Sequence, residues 1–228
     1  VGELVLVHAT WAHRPPEDVL LRLLQDTEAS VRGVGVRLLG QLPDETLKQS
    51  LDLLVALSRH ELADFRANIR PVVKRLADAD SAFGRRIAER FVEALLVPGA
   101  PEGVPSHTAR LLREDLRVHL GGVAPATVWK LLQSRSPPAQ EVGGLLLADN
   151  VRPEDLSLAE IVKLAGHDVL SVREAAWQMC RASLDRLKKD MDTATRLVDA
   201  RWEDSRQFAF GLLRDAFGRG ELTPEILV

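Results

Sequence analysis

The sequence has one cysteine and no tyrosine, and aromatic residues make up only 4% of its 228 positions. A lone cysteine, Cys180, can form neither a disulfide within the chain nor a multi-cysteine metal cage, so we expect a reducing compartment and a cytoplasmic location. The scarcity of aromatics and the lack of sustained alternation of apolar and polar residues disfavour a β-sandwich or barrel. What remains is an all-α fold.

Long apolar runs and a surplus of one charge are also missing. The longest apolar runs, such as residues 143–148, fall far short of the roughly 20 residues that span a bilayer, and no basic segment opens the chain as it would in a signal peptide. The 30 basic and 33 acidic residues leave a formal net charge of −3, which gives no general attraction to nucleic acid or to an anionic membrane. We expect a soluble protein without membrane contact.

The sequence also lacks the usual motifs of catalytic and cofactor sites. It has no glycine-rich phosphate loop, no nucleophile elbow and no HExxH, and its six histidines form no pair spaced by four residues. We therefore predict no catalytic residue, no metal ligand, no cofactor and no small-molecule ligand, and a protein that is not itself an enzyme.

What the sequence does contain is an internal repeat. An apolar helix, a short polar turn and a second apolar helix recur about every 33 residues, and an arginine falls at the second position of the later helix. Gln140 occupies this position once, and Arg110 is a doubtful member. We call the other four residues the arginine ladder: Arg32, Arg66, Arg173 and Arg206.

Six helical hairpins follow from this repeat. Proline and carboxylates ahead of several first helices, such as Pro16, Glu17 and Asp18, favour helix starts there, and the proline-rich stretch 97–107 is predicted to be an insertion. The two ends align with half of a repeat, so we expect a single domain, 1–228, cut from a larger protein. The predicted parts are a half-repeat at 1–12, hairpins at 16–41, 44–77, 82–120, 124–149, 155–185 and 190–217, and the start of another repeat at 222–228.

The repeat resembles that of the HEAT-repeat superfamily, a class of armadillo-like helical repeats. The resemblance is carried by LLQDTEASVRGVGVRLLG, residues 23–40, and LAGHDVLSVREAAWQM, residues 164–179. It implies a right-handed α-α superhelix, or solenoid, whose second helices line the concave face. The chain departs from the pattern at Gln140, at Pro71 within a second helix and at the insertion.

The arginine ladder has two interpretations. A row of guanidinium groups could bind phosphates or an acidic partner. An arginine placed just after a turn could instead bond that turn or the neighbouring one, and Asp26 and Asp168 stand where such an acceptor is needed. Because the ladder occupies the framework position of the repeat, we favour the structural role.

Histidines and tryptophans near the turns are assigned mainly to structure. His60 and His167 occupy equivalent turns, which favours a capping role over a catalytic one. Trp177 is predicted to fill the gap between hairpins. Trp202 lies in a turn and is the more plausible exposed anchor for a partner, although packing is an alternative.

We expect the chain to act as a non-catalytic protein-interaction scaffold that binds another protein or another domain of its own parent chain. The candidate contact residues point away from the apolar stripe of the second helices or lie in a turn: Arg37, Gln178, Arg181, Trp202, Gln207 and Arg214. The insertion is a second candidate surface.

Two alternatives stay open. One is nucleic-acid binding: HEAT-like DNA glycosylases pair aromatics with a carboxylate, and Glu203 and Asp204 stand beside Trp202, although acids ahead of a helix are ordinary caps. In the other, the stack only supports an enzymatic domain elsewhere in the parent chain.

Overall fold

A computed structural model describes residues 15–216, and every regular element in that range is a helix. The predicted all-α class is therefore confirmed for the part of the chain that the structure describes. The expected half-repeats at 1–12 and 222–228 lie outside the described residues. The chain divides into two compact units, Val1–Leu120 and Gly121–Val228, so the division falls between the third and fourth expected hairpins.

The described part of the first unit contains seven α-helices. The unit ends in a short 3-10 helix, Arg117–His119. The α-helices are α1 Glu17–Leu24, α2 Ala29–Gly40, α3 Asp44–Gln49, α4 Leu51–Ser58, α5 Ala63–Ala79, α6 Ser81–Leu95 and α7 Val104–Glu114.

The second unit also contains seven α-helices within its described residues. A 3-10 helix, Pro153–Asp155, precedes the third of them. They are α8 Pro125–Leu132, α9 Pro137–Asn150, α10 Leu158–Ala165, α11 Leu170–Ala182, α12 Leu184–Lys189, α13 Met191–Thr195 and α14 Glu203–Ala216.

Helices pack in consecutive pairs within each unit. In the first unit α1 packs on α2 and α4 on α5, and the second helices α2 and α5 pack on each other. In the second unit α8 packs on α9 and α10 on α11, and α9 packs on α11. The apolar stripes of these helices form the cores, where Leu38, Ile69, Leu146 and Ile161 are fully buried. Burial of these stripes is the main favourable term in holding each pair together.

Glycine allows the closest approaches between helices. A Cβ added at Gly144 would lie 2.6 Å from backbone atoms of Ser171 and Val172, so α9 and α11 meet backbone to backbone at this point. Its neighbour Gly143 faces Leu132 of α8 in the same way, at 3.0 Å. Both glycines therefore lie at positions of close packing between helices.

Several predicted helix bounds were wrong. The first half of the expected hairpin 44–77 is two helices, α3 and α4, rather than one. The first half of the expected hairpin 190–217 contains α13 followed by turns. The expected start at 155 moves to 158, because Ser157 accepts a hydrogen bond from the Glu160 backbone N–H and Glu160 accepts one from the Ser157 N–H, which is a capping box.

The insertion is shorter than 97–107. Helix α7 begins at Val104 because Pro105 falls in its first turn, where a missing N–H costs nothing. The backbone just before it includes Gly99 and Gly103 at φ of 80° and 77°, a conformation that favours glycine. Pro71, which departs from the repeat pattern, lies inside the uninterrupted helix α5.

Candidate functional site

The four arginines of the ladder make one and the same contact. Each arginine lies in the first turn of a second helix. Its Nη1 donates to the backbone carbonyls of the residues five and six positions earlier, which lie in the turn between the two helices of its hairpin. The distances are 2.7 and 2.9 Å for Arg32, 2.7 and 2.6 Å for Arg66, 3.0 and 3.0 Å for Arg173, and 2.9 and 2.9 Å for Arg206. These carbonyls have no partner within a helix, so the guanidinium satisfies them.

Two ladder arginines also reach the next hairpin. Arg32 Nε and Nη2 donate to the Asp64 carboxylate at 2.9 and 3.2 Å, and Arg173 Nη2 donates to Asp204 at 2.5 Å. Both aspartates stand two residues before the next ladder arginine. The hydrogen bond from each arginine lowers the pKa of its aspartate, because it favours the charged carboxylate.

An aromatic ring completes both of these contacts. The Arg32 guanidinium lies 5.8 Å from the centroid of the Phe65 ring, and that of Arg173 lies 4.8 Å from the Trp202 ring. We call this combination of turn carbonyls, a carboxylate and an aromatic face the guanidinium box. It uses all the recognition features of arginine, its planar fork and its stacking surface.

Trp202 is half-buried rather than fully exposed. The Arg201 guanidinium also lies over the Trp202 ring, 5.0 Å from its centroid, and the Nε1 atom of Trp202 is buried. These contacts support the packing role for Trp202. Trp177 is half-buried as well and stacks on Phe208, with ring centroids 5.4 Å apart.

Three of the turns are capped by the side chain that stands six residues before the ladder arginine. Nδ1 of His60 accepts from the Leu62 N–H, and Nδ1 of His167 accepts from the Val169 N–H, both at 3.1 Å. Asp26 does the same for the Glu28 N–H. Burial lowers the pKa of His167, which favours the neutral imidazole, whose Nδ1 can accept a hydrogen bond. The predicted capping role of the two histidines is confirmed.

Five of the six predicted contact residues are exposed on second helices. Arg37 lies on α2 in the first unit, and Gln178, Arg181, Gln207 and Arg214 lie on α11 and α14 in the second. The structure brings Arg181 and Gln207 together at a cavity of about 380 Å³ whose wall includes Phe208, and the Arg181 guanidinium lies 5.0 Å from the Phe208 centroid.

The carboxylates beside Trp202 are engaged in structural contacts. Asp204 accepts from Arg173 and from the Ser205 N–H, while Glu203 accepts from Gln207 at 3.2 Å. Cys180, the other reactive group in the second unit, is fully buried, and burial raises the pKa of its thiol to about 12.

A second, larger cavity was missed by the sequence analysis. Its volume is about 710 Å³, and it lies among α8, α9, α10 and the turn after α10, with Trp129, Gln140 and Asp168 in its wall. Gln140 stands at the ladder position and donates to the turn carbonyl of Ser134 at 2.7 Å. The sequence contains one feature that points to this place: Gln140 replaces the arginine at this position of the repeat.

Arg110, the doubtful member of the ladder, is exposed on α7 and makes no carbonyl contact of this type among the described residues. In the same range no group of three or more histidine, cysteine or acidic side chains is placed to hold a metal ion. None of the helices described is long and apolar enough to cross a membrane.

Comparison with known proteins gave no match to this chain among family models, curated proteins or solved structures.

Proposed function

We propose that this chain is a HEAT-like helical repeat region that acts as a non-catalytic scaffold, binding another protein or another domain of its own chain. The observation that carries the proposal is the repeated arginine contact, made with the same carbonyl offset at all four ladder positions. A contact that recurs at fixed spacing is expected when equivalent units stack on one another. Stacked units of this kind form extended surfaces that bind macromolecules.

The proposal places binding on the exposed sides of the second helices, taken in each unit by itself. Arg37, Arg181 and Arg214 are exposed there, and the ladder arginines are not available because the turns hold them. Within residues 15–216, Arg214 pairs with its neighbour Asp215, with both side chains more than 70% exposed, so this contact is weak and can be exchanged for one with a partner.

The test is charge reversal on this surface. The triple variant Arg37→Glu, Arg181→Glu, Arg214→Glu is compared with a control that reverses three exposed charges elsewhere, Arg22→Glu, Lys130→Glu, Arg152→Glu. Proteins retained from a lysate of the source organism by the wild-type chain are quantified, and those that distinguish the two variants are purified for measurement of Kd.

The proposal expects at least one retained protein whose Kd rises about tenfold or more in the surface variant and stays unchanged in the control, as expected for charges at a protein interface. Equal retention by both variants would remove this surface from the account. Retention on DNA with a log–log salt slope of several units would replace the proposal by nucleic-acid binding.

A further inference from the structure

The larger cavity of the second unit is lined by a tryptophan, two carboxylates and two side-chain amides. Trp129 comes from α8, and Gln133 caps the end of that helix. Gln140 comes from α9, Glu160 from α10 and Asp168 from the turn that follows α10. Trp129 is half-buried, and Glu160 and Asp168 are exposed. An aromatic face and carboxylate oxygens at one cavity are the groups that recognise an organic cation.

The helix ends around the cavity add to this character. Its wall includes Leu132 and Leu164, the last-turn residues of α8 and α10, and Gly166, which caps α10. The carbonyl end of a helix carries partial negative charge, so two such ends at one cavity favour a cation. Lys163 also lines the cavity and acts against this. His167 lines it too, but burial lowers the pKa of His167, which favours the neutral imidazole. With Glu160 and Asp168 charged, the lining carries an excess of negative charge.

The contacts of Arg32 and Arg173 indicate that the cation is a guanidinium group. In two guanidinium boxes, those of Arg32 and Arg173, the arginine fork meets two turn carbonyls, one carboxylate and one aromatic ring. Each box lies where the turn of one hairpin meets the second helix of the next. The same type of junction recurs between the hairpin of α8 and α9 and the hairpin of α10 and α11.

At that junction the box lacks its own arginine. Gln140 takes the ladder position, and its shorter side chain ends on the carbonyls of Ser134 and Leu132, at 2.7 and 3.4 Å. Ser171 stands where Asp64 and Asp204 stand in the complete boxes, and its Oγ donates to the Glu141 carbonyl at 3.0 Å. The cavity opens beside Gln140.

We propose that this cavity binds the guanidinium group of an arginine side chain presented by a partner protein, with the fork stacked on Trp129 and paired with Glu160 and Asp168. Both bonds of Glu160 to Ser157 use Oε2, so Oε1 remains for the ligand. Asp168 pairs with Arg201 at 3.1 Å, with both side chains more than 70% exposed, and an exposed pair of this kind exchanges partners at little cost.

Since the arginine belongs to a partner, the inference rests on the proposed scaffold function. It uses a different surface from the exposed second-helix residues, and its test needs no partner. A failure of the cavity to bind arginine is therefore distinguishable from a failure of charge reversal to weaken partner capture.

The experiment titrates the intact chain with blocked tripeptides of the form Gly-Xaa-Gly, in which Xaa is arginine, citrulline or lysine, and follows the indole N–H signals by NMR. The Trp129 signal is assigned with the variant Trp129→Phe. We expect the arginine peptide to shift this signal and to bind at least about tenfold more tightly than the uncharged citrulline and the non-planar lysine peptides. Equal binding of arginine and citrulline, or of arginine and lysine, overturns the assignment.

A variant that restores the ladder supplies the second arm. Gln140→Arg should place a guanidinium in the cavity from within, so the arginine peptide should bind at least about tenfold more weakly. Ala182→Arg, which adds the same charge at an exposed position of α11 outside the cavity, should leave the affinity unchanged. Trp129→Leu, which keeps an apolar side chain but no aromatic face, should weaken binding even if Gln140→Arg fails to fold. Unchanged affinity in Trp129→Leu contradicts the proposal.

Discussion

Arg173 combines every contact found in the ladder. It is 5% exposed, donates to two turn carbonyls and to Asp204, and lies over the Trp202 ring. Removing such a side chain leaves the two carbonyls without this donor and leaves Asp204 with the Ser205 N–H but without its charged partner. Such losses are costly when the groups are partly buried. The stabilising role is a property of this single residue and can be measured at it.

We predict that Arg173→Ala lowers the free energy of unfolding by about 2 kcal/mol, since it removes hydrogen bonds between a charged donor and partly buried acceptors. The control is Arg214→Ala, which removes an arginine that is 80% exposed and pairs with its neighbour; its effect should stay within about 0.5 kcal/mol. Urea denaturation followed by circular dichroism measures both. Equal losses in the two variants would contradict the role assigned to the ladder.

The aspartates of the two complete boxes predict a pH dependence. The arginine bonds lower the pKa of Asp64 and of Asp204 from an ordinary value of 3.8. Their contribution to stability is therefore present above that value and is lost as the pH falls from it toward the lower folded-state pKa. The double variant Asp64→Asn, Asp204→Asn should be less stable than wild type at neutral pH and should lose less stability on acidification.

Urea titrations at a series of pH values from about 7 down to about 3 test this linkage. The exposed Asp185, replaced by asparagine, serves as the control and should leave the pH profile as in wild type. A double variant whose stability falls with acid as steeply as that of wild type would show that these two carboxylates do not contribute to the acid sensitivity.

At the scale of the helix, the close contact of α9 and α11 depends on Gly144. We predict that Gly144→Ala destabilises the fold by about 1–3 kcal/mol, because the added methyl group meets the backbone at Ser171 and Val172 and the helices must separate. The matched control is Gly211→Ala in α14, where nothing lies within 4 Å of the added Cβ and the higher helix propensity of alanine should stabilise by about 0.5–1 kcal/mol.

Thermal unfolding of the two glycine variants gives the comparison directly, since the expected changes in Tm have opposite signs. A rise in Tm for Gly144→Ala would mean that α9 and α11 are not in backbone contact at this position.

Helices were predicted well where a periodic apolar stripe meets a clear start or stop. Arg32 and Arg173 mark the first turns of α2 and α11, and the apolar stripe of each helix is the buried one. Predictions failed where one residue decides between two local structures. Ser50 separates α3 from α4, and Ser157 moves the start of α10 through its capping box, and neither choice shows in the apolar pattern.

The candidate site was predictable only in part for a similar reason. Exposure of Arg181 and Gln207 follows from the helical period, so their accessibility could be foreseen. Trp129, Glu160 and Asp168 line one cavity because of the way two hairpins pack. That packing cannot be predicted from the spacing of residues in the sequence. The half-burial of Trp202 likewise depends on Arg173, a residue 29 positions earlier in the chain.

At the scale of the whole molecule, the two units share one device. The guanidinium box of Arg32 joins consecutive hairpins in the first unit, and that of Arg173 does so in the second. The two boxes use the same atoms of arginine on acceptors at the same offsets. That equivalence is the observation on which the proposed repeat and the proposed scaffold function both rest.

Amide hydrogen exchange of Arg32→Ala and Arg173→Ala, resolved along the intact chain, tests this equivalence most directly. Each variant should speed exchange at two places, its own turn and the start of the second helix in the next hairpin: α5 near Asp64 for Arg32→Ala and α14 near Asp204 for Arg173→Ala. Faster exchange confined to the variant's own hairpin, or found in only one of the two variants, would contradict the claim that equivalent arginines join consecutive helix pairs.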